Sequence, residues 1–253
     1  MAVALSELSA YCDQLLRPWL FQDYCPNGLQ VEGAQSVERI VSGVTASRAL
    51  IEAAIADNAQ AILVHHGYFW KGDDPRIRGM LRERLALLLH HNISLIAYHL
   101  PLDAQPEFGN NIGLAQQLEL EVTGTMEPEQ ERSIGLVGRL AKPMSGDQFA
   151  AHLSERLGRA PLHVPGGKQR IETIAWCTGA AQGFIEKASR LGVDAYLTGE
   201  VSEPTVHVAR ETGIHFFAAG HHATERYGIQ GLGERIAANF AIEHRFIDID
   251  NPA

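Results

Sequence analysis

The 253-residue sequence has only three cysteines, Cys12, Cys25 and Cys177, and they are widely spaced. This spacing gives neither a CxxC zinc motif nor a disulfide framework, and it favours a reducing compartment. There is also no run of about 18 apolar residues, so we expect no membrane-spanning helix. The first residues include acids and no basic segment, which argues against a signal peptide. We therefore expect a cytoplasmic protein.

Basic residues are scarce as well. Lysine and arginine total 21 against 30 acidic residues, and the net charge is −9. A broad basic face for long nucleic acid is therefore not expected, whereas a small nucleotide held through a metal ion is compatible with this charge. The sequence has no G-x-S-x-G elbow, and no cysteine stands in a nucleophile setting.

Short apolar segments alternate along the chain with segments of helical periodicity, which predicts an α/β fold. The segments 40–44 and 61–64 are continuously apolar, as is typical of parallel strands covered on both faces. Ser145 and Gln148 have capping-box spacing and predict a helix to about Leu157. The polar segment 127–133 is the predicted linker between a first half, 1–126, and a second half, 134–253.

Residue types that bind metal ions follow three of the apolar segments. The clusters are His65-His66, His99 with Asp103, and His221-His222 with Glu225. Imidazole and carboxylate suit zinc, iron and manganese. Because strand ends in α/β sheets are where such folds build their sites, we expect the clusters to converge at a sheet edge.

The clusters also coincide with an internal sequence similarity. Residues 44–66 align without a gap onto 178–200, so that His65-His66 falls on Gly199-Glu200. Residues 94–118 align onto 216–240, and there His99 falls on His221 and Asp103 on Glu225. Because residue types that bind metal align with one another in the two segments, we predict a duplication of one α/β unit.

Spacing separates candidate ligands from other histidines. His221 and Glu225 are four residues apart and share one helix face, whereas His222 points about 100° away. His65 and His66 can reach one site where the chain turns at Gly67. Together with Asp103 they make five ligands, which fit two ions bridged by a carboxylate better than one zinc.

The remaining histidines show no such pattern. His90 and His91 lie in the last turn of a predicted helix, where the dipole favours cations. Four others have no partner pattern and are interpreted as structural or solvated: His152, His163, His207 and His244.

Several motifs in combination resemble the family of GTP cyclohydrolase 1 type 2 homologues, also called Nif-three-like proteins. They are DYCPNGLQVEG, LVHHGYFWKG, AYHLPLD, DAYLTGE and GHHATERYG, and the resemblance covers nearly the whole chain. It implies two related, intertwined three-layer α/β domains with a dinuclear metal centre in the cleft between them. It also implies a homohexamer of the short form, which lacks an inserted middle domain. Carried over by motif, the ligands are His65, His66, Asp103, His221 and Glu225.

Two classes of function are compatible with these residues. The first is a metal-dependent hydrolase of a small nucleotide-like or phosphorylated substrate, with two divalent ions (iron, zinc or manganese) and His99 as an orienting group or general acid/base. A buried structural role is the alternative for His99. The second class is a non-catalytic metal-handling or partner-binding protein. No cysteine lies near the clusters in sequence, so a cysteine-ligated cyclohydrolase zinc is not predicted.

Overall fold

The computed structural model describes residues 1–253 and contains thirteen strands and ten α-helices. The strands are β1 (Val3–Ala4), β2 (Gly28–Val31), β3 (Ser36–Val37), β4 (Arg39–Thr45), β5 (Ala61–His66), β6 (Ser94–Ala97), β7 (Leu120–Thr125), β8 (Leu136–Met144), β9 (Leu162–Val164), β10 (Ile171–Trp176), β11 (Ala195–Thr198), β12 (His215–Ala218) and β13 (Glu243–Phe246). The helices are α1 (Leu5–Leu16), α2 (Arg48–Ala56), α3 (Gly79–His90), α4 (Leu100–Asp103), α5 (Asn110–Gln117), α6 (Gly146–Leu157), α7 (Ile185–Arg190), α8 (Glu203–Thr212), α9 (His221–Thr224) and α10 (Arg226–Phe240). The α/β prediction is confirmed.

The chain forms two compact units, and the first contains residues 1–105 and 228–250. Its five-stranded sheet has the order β13-β4-β5-β6-β2, in which β2 alone is antiparallel to its neighbour. Strand β5 is buried from Ala61 to His65, which explains its continuous apolar run. Helix α2 begins at a capped Ser47, whose side chain accepts a hydrogen bond from Leu50 N, and it packs Leu50 and Ile51 into the core.

The second unit contains residues 106–227 and 251–253. Its six-stranded sheet has the order β7-β8-β10-β11-β12-β9, with β10, β11 and β12 parallel. Trp176, Phe149 and Phe217 lie in its core. The predicted capping box of Ser145 and Gln148 is present and begins α6, which ends at Leu157 as expected.

The boundaries of these units differ from those of the predicted halves. Strand β7 lies before the predicted linker, yet it pairs with β8 in the sheet of the second unit. Residues 228–250 lie in the predicted second half, yet β13 pairs with β4 in the first unit. Strand pairing decides to which unit a strand belongs, and the order of elements along the chain does not reveal that pairing.

The aligned segments of the predicted duplication have the same element order. Segment 94–118 carries β6, α4 and α5, and segment 216–240 carries β12, α9 and α10. This shared order supports the duplication, which itself stays a prediction. None of the helices has the length and apolar character needed to cross a membrane.

Candidate metal centre

The first candidate ligand, His65, has a hydrogen bond that fixes its tautomer. It is fully buried near the end of β5, and its Nδ1 lies 2.9 Å from the carbonyl oxygen of Tyr98. Because a carbonyl can only accept, Nδ1 carries the proton and Nε2 keeps its lone pair. The buried carboxylate of Asp103 has Oδ1 at 3.5 Å from that Nε2. A nitrogen lone pair and a carboxylate oxygen therefore face one another in a buried place.

His66 ends β5 and lies beside His65 despite the strand alternation. The two rings have centroids 4.5 Å apart, as expected from the turn that follows at Gly67. His66 Nδ1 lies 3.2 Å from Thr45 Oγ1, its register partner on β4. One ligand atom from each of His65, His66 and His99 lies within 4.8 Å of the other two. The structure thus brings the first two predicted clusters together, in one unit.

His99 is held by an acid that the sequence analysis did not identify. Its Nδ1 lies 2.7 Å from Asp23 Oδ1, and the other oxygen of Asp23 accepts from Leu100 N at 3.0 Å and from Asn27 Nδ2 at 2.9 Å. Burial alone would raise the pKa of Asp23, but the hydrogen bonds from His99 and Asn27 outweigh it and lower the pKa. Asp23 is therefore a carboxylate that fixes the proton of His99 on Nδ1.

The cysteines require one correction. Cys25 is far from the clusters in sequence, but the structure places its sulfur with Asp23 and His99, in a group whose ligand atoms lie within 4.8 Å. Burial and, to a smaller extent, Asp23 raise the pKa of the Cys25 thiol to about 12. The buried thiol thus adds a sulfur to the group around His99 that the sequence analysis did not predict.

The second unit contains the pair His221 and Glu225. His221 begins the single-turn helix α9, and its Nε2 lies 3.0 Å from Glu225 Oε2, so the i, i+4 spacing does place both groups on one face. His221 Nδ1 lies 2.6 Å from Glu200 Oε1. Glu200 was not predicted as a site residue, although the aligned segments had placed it opposite His66.

Charge at this pair favours a cation. Burial lowers the pKa of His221, but Glu225 and Glu200 together outweigh it and raise the pKa to about 9. Two carboxylates around one imidazole stabilise positive charge there, carried by a proton or by a metal cation.

The backbone beside Glu225 is shaped to the carboxylate. Gly179 has a φ of +68°, and a Cβ added to it would lie 2.0 Å from Glu225 Oε1 and 3.2 Å from His221 Nε2. Only glycine leaves this space open. The donor chemistry, the tautomer of His65 and the space beside Glu225 fit a metal ion.

The other histidines have partners close by. His90 and His91 are exposed and pack edge to face, and His222 is buried with its amide donating to Ala253 O at 3.3 Å. Among the remaining five, His152 contacts the Leu118 carbonyl, His207 contacts Glu203 and His244 contacts Ser42, while His163 and His215 contact one another.

These observations define an α/β protein with groups of histidines and carboxylates that could hold a metal ion. The family model described as Duf34/NIF3 (NGG1p interacting factor 3) matches residues 3–252, and the chain belongs to this family. The predicted resemblance is confirmed.

Relatives match over the full length. A protein of Pseudomonas aeruginosa named GTP cyclohydrolase 1 type 2 homolog is 61% identical over 253 residues, which is 100% of both chains. The solved structure titled "Structural genomics, protein ybgI, unknown function" is 50% identical with a TM-score of 0.95, covering 99% of this chain and 100% of that one. The crystal structure of TTHA1606 from Thermus thermophilus is 32% identical with a TM-score of 0.89, at the same coverage.

Proposed function

We propose that this chain binds two divalent metal ions and uses them to hydrolyse a small nucleotide-like or phosphorylated substrate. The proposed ligands are His65, His66, Asp103, His221 and Glu225. The observation that carries the proposal is the hydrogen bond from His65 Nδ1 to the Tyr98 carbonyl, because it leaves Nε2 unprotonated beside Asp103 in a buried place. Partners of this kind are what orient metal-binding histidines.

A different arrangement at His221, with a carboxylate at each ring nitrogen, supports the second half of the ligand set because it favours a cation. Glu200 holds Nδ1, and Nε2 faces Glu225. Two donors fall short of the three protein ligands usual in catalytic sites. We therefore propose that the two sets serve one dinuclear centre. Nitrogen and oxygen donors without thiolate suit iron, zinc or manganese.

The residues around the proposed ligands have roles of their own. When bound, two divalent ions supply Lewis acidity toward water and toward a leaving oxygen. His99 holds or transfers a proton at Nε2, because Asp23 fixes the other proton on Nδ1. Trp70 packs edge-on against His99, with ring centroids 4.9 Å apart, and holds the imidazole in place.

Metal binding is tested by elemental analysis after loading with iron, manganese or zinc. We expect about two ions per chain, and fewer in His65→Ala and Glu225→Ala. A double alanine variant of the exposed His90 and His91 serves as the control and should keep the full content. Absence of bound metal after loading would refute the proposal.

A shared centre is tested by comparing metal affinities of the two single variants with that of the double variant. Residues that serve one centre give non-additive free energies of binding, whereas separate sites give additive ones. Additive losses would leave two independent sites and would contradict the shared centre.

Catalysis needs its own test, because bound metal does not establish turnover. Metal-loaded protein should hydrolyse a member of a panel of nucleotides, phosphoesters and cyclic amides, lose the activity with chelator, and lose it by orders of magnitude in Asp103→Ala. His99→Ala should retain metal and lose rate. A metal-replete protein that is inert toward the whole panel would favour the alternative, a metal-handling or partner-binding protein.

The proposal includes a homohexamer located in the cytoplasm. The hexamer rests on membership of the family. Light scattering should report about six times the mass of the chain, and a stable monomer at micromolar concentration would contradict it.

A further inference from the structure

A cavity of about 400 Å³ opens beside His66 in the first unit. Its volume lies within the range of about 300–1,000 Å³ typical of small-molecule sites. Phe69 and Trp70 line one side of it, and Met80 and Arg84 of helix α3 line another. Because His66 also lines the cavity, a molecule bound there would touch a proposed metal ligand.

The aromatic side of the cavity is held in a strained arrangement. Phe69 has a φ of +65°, a region that bulky side chains rarely adopt, and its side chain is 41% exposed. Tyr68 packs against it edge to face, with ring centroids 6.3 Å apart. Strain of this kind clusters at ligand clamps, where the surrounding structure maintains it. The strain here presents a flat apolar ring to the cavity instead of burying it in the core.

Trp70 connects this wall to the histidines. Its Nε1 donates to Gly67 O at 3.2 Å, and its ring centroid lies 5.9 Å from that of His66. The indole N–H is therefore already used within the protein, and the ring offers its apolar surface. Flat aromatic surfaces at this position favour a flat ligand, because stacking needs two planar faces.

Arg84 supplies a polar group to the cavity. Its Nε is buried and has no hydrogen-bond partner, which costs free energy unless a ligand or water accepts from it. The nearby Asp74 is already bound by Arg76 and Arg78. Arg84 is thus the arginine that lines the cavity, and its guanidinium can donate to an oxygen acceptor of a ligand.

We propose that this cavity binds a flat aromatic or heteroaromatic ring that carries an oxygen acceptor at its edge. The ring stacks on Phe69 and Trp70 below the exposed side chain of Met80, and its oxygen accepts from Arg84. Because the bound ring would lie next to His66, we assign the cavity as part of the substrate site, and this assignment rests on the proposed function. Its binding chemistry uses only residues that are not proposed metal ligands.

The test measures binding of two probes by ligand-observed NMR, 2-naphthoate and its saturated decahydro analogue, which has the same carboxylate but no flat ring. Both chelator-treated and metal-loaded protein are used. We expect 2-naphthoate to bind at least tenfold more tightly in both. Equal affinity of the two probes, or no binding of either, would overturn the proposal.

Variants locate the binding. Phe69→Gly removes the ring and also relieves the φ strain, so the protein should fold, keep its metal and bind 2-naphthoate on the order of tenfold more weakly. Arg84→Met keeps an apolar stem and should weaken 2-naphthoate by roughly tenfold or more, since a charge-assisted hydrogen bond is lost. Trp19→Ala is the control, because Trp19 is exposed and lies outside the cavity.

The outcomes separate this site from the proposed function. Probe binding by chelator-treated protein that depends on Phe69 and Arg84 supports the subsite even where no hydrolysis is found. Unchanged probe affinity in both variants refutes the subsite even where metal-dependent hydrolysis is found. A change of oligomeric mass in Met80→Glu, with no probe bound by the parent protein, would assign the cavity to a contact between copies of the chain and would also refute it.

Discussion

Replacing Gly179 by alanine tests whether the space beside Glu225 is needed for the carboxylate. The new Cβ would lie 2.0 Å from Glu225 Oε1, so the carboxylate must move by roughly 1 Å or more to reach ordinary contact. The positive φ of +68° adds about 1 kcal/mol for a non-glycine residue. Overpacking adds about 1–3 kcal/mol. We expect the variant to lose about 2–4 kcal/mol of unfolding free energy.

Gly192→Ala is a matched control in the same unit. Gly192 has a φ of +72°, and a Cβ added to it meets nothing within 4 Å. This variant should lose only the backbone contribution of about 1 kcal/mol. The difference between the two variants therefore measures crowding at Glu225.

Urea denaturation of the metal-free proteins gives the stability of each variant, and chelator competition gives the metal affinity. Gly179→Ala should also bind metal on the order of 10–100-fold more weakly, because the carboxylate is displaced from His221. Adding Glu225→Ala removes the 2.0 Å contact, so Gly179→Ala in that background should cost less than in the parent protein, with only the 3.2 Å approach to His221 Nε2 left. Equal losses in Gly179→Ala and Gly192→Ala would refute the reasoning.

Three further variants or conditions give independent checks. Glu200→Gln keeps an oxygen acceptor for His221 Nδ1 but removes a charge, so metal affinity should fall by roughly tenfold in chelator competition and by less than in Glu225→Ala. Asp23→Asn should leave metal content unchanged and shift the ¹⁵N resonances of the His99 ring, since the carboxylate that fixes its tautomer is lost; unchanged resonances would contradict that role. Burial lowers the pKa of His163 and of His244; His215 adds to this effect at His163, and Glu234 opposes it at His244. Folding therefore favours the neutral form of each histidine. The free energy of unfolding is unaffected above pH about 6.5 and falls as the pH drops from there through the lowered pKa values, by at most about 1.4 kcal/mol per pH unit for each histidine. Urea denaturation at falling pH should show a shallower decline of this free energy in His163→Gln and His244→Gln, and an unchanged slope would contradict the assignment.

Much of the local structure could be predicted because it depends on neighbours in sequence. The apolar run of β5 and the capping box of α6 are of this kind, as is the turn that brings His221 and Glu225 together. The sheets to which β7 and β13 belong could not be predicted, because the pairing of each strand depends on tertiary packing. The alternation of elements is the same whichever sheet they join.

The partners of the histidines could not be predicted for the same reason. Asp23 is 76 residues from His99, and Glu200 is 21 residues from His221. The Tyr98 carbonyl that fixes the tautomer of His65 has no side-chain signal at all. A sequence pattern identifies residues able to bind metal, whereas the protonation state that lets them bind depends on contacts made only in the fold.

The aligned segments show how one position can serve two different purposes. In the alignment of 44–66 with 178–200, Thr45 falls on Gly179 and His66 on Glu200. In the first unit the Thr45 hydroxyl contacts His66 Nδ1, so a side chain is used to hold the ring. In the second unit a side chain at Gly179 would occupy the space of the Glu225 carboxylate, and the ring of His221 is held instead by Glu200. A hydroxyl that supports a histidine thus corresponds to a glycine that makes room for a carboxylate. The aligned ligand types are therefore visible in the sequence, but their supporting contacts are not. His66 is held by Thr45, whereas His221 is held by Glu200, and these two supporting residues do not align with one another.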